Sequence, residues 1–202
     1  MDLLTMLRTA ARVASRTSTR NKGLFKGLKK KFPKVPEYVL KEVYNGDVDK
    51  VGKSGQFESM LKEYDSRTWK LEKVELHWDL MSPLTKSNFR RRKFGIENPD
   101  GVPDDAERLE RQVNSLAGQG ENEPMIFLEV GGKLELVEGF HRTMALLLKG
   151  SGDVKDALVK LAEADDKEVD SIASGWSKVP AKAWVGRGGA DPGDENWDDF
   201  EL

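Results

Sequence analysis

Residues 134–150 read Leu-Glu-Leu-Val-Glu-Gly-Phe-His-Arg-Thr-Met-Ala-Leu-Leu-Leu-Lys-Gly: an apolar strand, a glycine turn, and a helix that opens with His141 and Arg142 and closes on Gly150. Such a turn points freed backbone N–H groups, the positive end of a helix dipole and a guanidinium at one spot. That is a site for phosphate. The pattern inside it is Gly139-x-x-Arg142-x-x-Ala145, preceded by the acidic Glu138. A glycine used only for tight packing would leave the other residues unexplained, because the dipole disfavours a cation at a helix N-terminus. A cation placed there tends to have an anion to hold.

Composition sets wider bounds. A chain of 202 residues with 38% hydrophobic content can build one ordinary core plus extensions. Its charged fraction of 34% and mean hydropathy of −0.60 indicate that part of the chain lies outside that core. There are no cysteines, which removes disulfides, thiolate metal sites and cysteine nucleophiles together. This suits a reducing, cytoplasmic setting. No run of about 18 apolar residues occurs, so no membrane span is expected.

The net charge of −2 conceals a strong asymmetry. Residues 1–34 hold Arg8, Arg12, Arg16, Arg20, Lys22, Lys26, Lys29, Lys30, Lys31 and Lys34 against the single acid Asp2. Residues 191–202 hold Asp191, Asp194, Glu195, Asp198, Asp199 and Glu201 and no base. Arg8, Arg12, Arg16 and Arg20 drift by only about 40° per step on a helix, while Leu3, Leu4, Leu7, Ala11 and Ala14 take the opposite arc. The arm over 1–34 is therefore an amphipathic cation. Four targets fit it: a protein partner in an assembly, nucleic-acid phosphates, a membrane surface, or an organelle import receptor. The acidic tail over 187–202, with Trp197, Phe200 and Leu202, has the composition of a docking peptide. Its complement is a basic surface on the same chain, on a second copy in a homo-oligomer, or on a partner.

Between these ends the periodicity is helical, then extended, then mixed. Residues 35–68 form a helical linker, with one short helix ending near Asn45-Gly46 and another carrying Phe57, Met60, Leu61 and Tyr64. Trp69, Leu71, Val74, Leu76 and Trp78 predict a strand with an irregularity near Glu72-Lys73, followed by a turn at Met81–Leu84. Asn88–Gly95 is a base run containing Arg90, Arg91 and Arg92 between aromatics. It reads as a solvated loop or as a contact for single-stranded nucleic acid. Asp104 with Glu107 forms a capping box for a helix that Gly118 closes. Met125–Val130 suits a buried strand, Gly131-Gly132 a hairpin, and Lys133–Val137 its second strand. After the glycine turn, a helix to about Lys149, further helical turns over 154–173 and a strand over Val179–Val185 follow. Pro180 points to an edge position for that strand.

These elements, in this order over 69–186, define an α/β (α+β) domain with a small mixed sheet. Pro83-Leu84, Pro124, Glu138-Gly139-x-x-Arg142 and Val179-Pro180 fall within it in the order seen in the ParB/sulfiredoxin superfamily. The chain resembles a stand-alone, ParB N-terminal-like member. The resemblance implies a nucleoside phosphate, ATP or CTP with Mg, held by Gly139, His141, Arg142 and Thr143. Glu138 would be the catalytic carboxylate in any phosphotransfer, NTP hydrolysis or nuclease-type reaction. Sulfiredoxin chemistry is excluded because it needs a cysteine in this turn. A complete chromosome-partition protein is not expected, because only residues 151–202 follow the box. His77 and His141 are the sole histidines and no carboxylate cluster has metal-ligand spacing, so a protein-held metal is not expected. Small stand-alone boxes with charged tails also resemble phage accessory or virion proteins. The rival function is thus a non-enzymatic nucleic-acid-binding or assembly protein acting through its basic arm.

Overall fold

The computed structural model describes residues 26–46, 54–91 and 106–189, and the chain divides into two compact units, Met1–Arg67 and Thr68–Leu202. Arg8, Arg12, Arg16, Arg20, Arg92, the Asp104 cap and residues 190–202 of the acidic tail lie outside the described residues, whereas Arg187, the expected first residue of that tail, ends the last strand of the sheet. In the first unit, residues 26–31 form helix α1, followed by α2 (Glu37–Gly46) and α3 (Ser54–Ser66). Pro33 stops α1, and Lys29 Nζ donates to the Pro33 carbonyl at 2.8 Å, tying the chain that leaves the helix back to it. Phe32, Val35, Val39, Leu40, Val43, Leu61 and Tyr64 supply the buried residues of this unit.

The second unit is a mixed α+β fold around a four-stranded sheet of order β1-β4-β2-β3. Its elements in chain order are β1 (Thr68–Leu76), a 3-10 turn (Trp78–Leu80), α4 (Pro83–Arg91), α5 (Ala106–Asn122), β2 (Met125–Val130), β3 (Lys133–Glu138), α6 (Phe140–Lys149), α7 (Val154–Glu163), α8 (Asp166–Ser174) and β4 (Val179–Arg187). β4 is antiparallel to β1 and parallel to β2, and β2 is antiparallel to β3. Gly131 and Gly132 both have positive φ, 56° and 74°, as a two-residue hairpin turn with the right-handed strand twist demands. Met125, Ile126 and Phe127 have no exposed surface, so β2 is buried on both faces, as its apolar run foretold.

Four local expectations are corrected. β1 runs without a register shift through Glu72-Lys73. The apparent irregularity arises because Trp69 and Leu71 belong to one face of the strand, and Val74 and Leu76 to the other. β4 is a central strand. Pro180 is tolerated because β2 pairs only with Ala183–Gly186, leaving the proline opposite Glu75 of β1 alone. The Pro83-Leu84 turn and the start of the base run belong to helix α4. Proline opens this helix and Ser82 Oγ accepts the Thr85 N–H at 3.1 Å, an N-cap. Gly118 does not end α5, which continues to Asn122. The second glycine, Gly120, has a packing role: a Cβ there would lie 2.8 Å from Leu146 Cδ1, so its bare backbone lets α5 approach α6.

One core serves the second unit. Phe127, Ala183 and Val185 of the sheet meet Val113 and Ala117 of α5, residues 144–148 of α6, and Leu158 and Leu161 of α7. Six consecutive residues of α6, Thr143 to Leu148, are buried, so this helix is enclosed rather than laid on the surface. Asp153 caps α7, and Asp165 with Glu168 forms a capping box on α8. At the far side of the sheet, Ser82 N–H donates to the Leu134 carbonyl and Leu136 N–H to Thr85 Oγ1. The outer edge of β3 is thereby met by the start of α4.

Candidate functional site

β3 delivers Glu138 to the end of the sheet, and the chain reverses into α6 at Gly139. This residue is the N-cap, in the left-handed region at φ 97° and ψ 32°, with no side chain to cap the helix. Two independent constraints select glycine. A side chain is strained at that φ, and a Cβ would lie 2.9 Å from Met125 Cγ. The Gly139 carbonyl accepts the first helical bond, from Thr143 N–H at 2.9 Å, and its own N–H donates to Glu138 Oε1 at 3.0 Å. The acid before the glycine is therefore a local clamp on the turn.

The side chains of the first helical turn diverge. Phe140 packs inward against Phe89 of α4, with ring centroids 4.8 Å apart. His141 is exposed and meets the Phe140 ring edge-on at 5.4 Å. Thr143 is fully buried and its hydroxyl donates to Met125 Sδ at 3.1 Å, so its side chain is turned into the core. Arg142 folds back over the turn. One terminal nitrogen, Nη2, lies 3.5 Å from the position a Gly139 Cβ would occupy. The other, Nη1, donates to Glu123 Oε2 at 2.7 Å. Arg142 is 12% exposed and Glu123 64% exposed, so a largely desolvated cation is held by a solvated carboxylate.

Glu123 is the partner of the turn that sequence reading missed. It follows α5 immediately and precedes Pro124, and nothing in its 19-residue separation from Arg142 announces a contact. The turn thus carries two carboxylates, Glu123 and Glu138, with one guanidinium and one exposed imidazole. For a phosphate these donors fit once Arg142 is taken over from Glu123. For a resident metal they do not fit: among the described residues no three His, Asp or Glu side chains are grouped to hold one.

The basic run behaves differently from its sequence appearance. Arg90 Nη1 donates to Asp170 Oδ1 of α8 at 2.9 Å, and that oxygen also accepts the indole N–H of the buried Trp78 at 2.9 Å. Arg90 is 20% exposed and ties α4 to α8, a structural role in place of an outward-facing contact. Arg91 closes α4. His77 is also structural. Its Nδ1 accepts the Asp79 N–H at 3.3 Å, which leaves Nε2 to donate to the Trp176 carbonyl at 2.9 Å.

No helix among the described residues is long and apolar enough to cross a membrane. No family model, curated protein or solved structure matches the chain. The second unit is a mixed α+β fold with a glycine-arginine turn at the C-terminal end of β3.

Proposed function

We propose that the second unit is a ParB/sulfiredoxin-like domain that binds a nucleoside phosphate, ATP or CTP, at the Gly139 turn. The observation that carries this reading is the posture of Arg142. Its guanidinium is folded over the first turn of α6, where the helix dipole adds to its attraction for an anion. Gly139 gives close approach to the backbone, Arg142 gives a charged fork, and His141 stands exposed beside them. Thr143 acts from the core, holding the turn against Met125. Glu138 is our candidate base if phosphoryl transfer follows binding; release from the Gly139 N–H would precede that role.

The alternative is a nucleic-acid-binding or virion-assembly protein that works through Arg8, Arg12, Arg16 and Arg20. Engagement of Arg90 by Asp170 removes one cation from the second basic run that reading invoked. Calorimetric titration of the full chain with ATP, ADP and CTP, with and without Mg, separates the two. Binding that is lost in Arg142→Ala, without loss of thermal stability, supports the nucleotide site. Absence of heat with every nucleotide favours the arm.

A further inference from the structure

We infer that Glu123 is an internal competitor for the phosphate site, a carboxylate that occupies Arg142 until an anion displaces it. This inference rests on the nucleotide-binding reading and adds its regulation. The geometry is that of an anion already in place: Glu123 Oε2 sits 2.7 Å from Arg142 Nη1, on a guanidinium only 12% exposed. Charge-assisted bonds to a partly desolvated arginine are among the stronger polar contacts a protein makes. A cation so placed is costly to leave uncompensated. Some anion must be there.

The two partners are held unequally. Arg142 is set by α6, whose next six residues are buried, and by its position over Gly139. Glu123 is 64% exposed and lies just past the last helical residue of α5, with its N–H bonded back to the Gln119 carbonyl at 2.7 Å. Its carboxylate can swing into water once another anion takes its place on the guanidinium, because Glu123 itself is largely solvated. The remaining guanidinium nitrogens have no partner among the described residues, so an entering phosphate can engage the fork before Glu123 lets go. Once phosphate is bound, Glu123 and the ligand are like charges at one cation and repel, which ejects the carboxylate. Glu138 is placed differently: its Oε1 accepts the Gly139 N–H at 3.0 Å, and its contact is with the backbone of the turn.

The expected signature is a gain of affinity on removing an acid. In titrations of the full chain with ATP and CTP, Glu123→Gln should bind roughly tenfold more tightly than the wild type. Glu123→Asp, whose shorter side chain strains the contact, should fall between. In the Arg142→Ala background, where binding is lost, adding Glu123→Gln should restore none of it, because the competition acts only through that arginine; recovered binding in the double variant overturns the competitor. Thermal unfolding without nucleotide checks that each variant is folded. Should Glu123→Gln be unstable, the ordering of Glu123→Asp against the wild type decides alone. Equal or weaker binding by the folded variants, with a wild type that does bind, overturns the competitor and leaves the nucleotide site standing. Absence of binding by the wild type and by every variant overturns both.

Discussion

At the scale of single residues the turn is over-determined. Gly139 must be glycine for its backbone angle and again for Met125, whose Cγ would sit 2.9 Å from any Cβ. The two penalties are independent, one of backbone strain and one of overpacking. Gly139→Ala should therefore lose about 2–4 kcal/mol in urea unfolding. A loss below about 0.5 kcal/mol would mean that the turn relaxes freely and is not fixed by its packing. Arg142 illustrates the limit of reading a turn from sequence. The glycine, the helix start and the arginine were all legible in Gly139-x-x-Arg142, because each is a local signal. The carboxylate that holds the arginine was not, because only the packing of α5 beside α6 brings Glu123 there.

Elements repeat the pattern. The hairpin at Gly131-Gly132, the buried β2 and the helix after the glycine turn followed from turn chemistry and apolar runs, whereas the enclosure of α6 did not. α4 was hidden because its polar residues look like a loop, while its burial rests on Phe89 and Thr85 and on Asp170, which lies 80 residues from Arg90. The central position of β4 was hidden because Pro180 signals an edge, and only the short reach of β2 makes it harmless. Within α5 two glycines give a paired test. Gly118 has nothing within 4 Å of a built Cβ, whereas Gly120 faces Leu146. Gly118→Ala should stabilise the fold by about 0.5–1 kcal/mol through helix propensity, and Gly120→Ala should fail to do so because it pushes α5 off α6. Thermal melts of the pair check this; equal gains would contradict the close approach.

At the scale of the whole second unit, three strands are tied at one end by Arg187. It hydrogen-bonds Glu72 of β1 and, at 2.7 Å, Glu129 of β2, and the bond from Arg187 is the main cause that holds the Glu72 carboxyl below its ordinary value of 4.5. The folded state therefore keeps Glu72 ionised where the unfolded chain begins to take up a proton. Its contribution is full at neutral pH and is lost as pH falls below about 4.5 and through the depressed folded value. Urea unfolding of the wild type and Glu72→Gln should differ at neutral pH, with a gap that closes on acidification. A gap that stays constant down to about pH 3 would show that the charge of Glu72 is not what the network uses. The charged ends of the chain, basic over 1–34 and acidic over 191–202, bear on the rival function. The measurement that matters most must therefore see both ends and the turn at once. Backbone amide shifts of the full chain, followed by NMR as CTP and then ATP are added, meet that need. A nucleotide site at the turn should give saturable shifts that are largest at Gly139, His141 and Arg142 and spread to Glu123. Shifts confined to residues 1–34, or none at all, would contradict it.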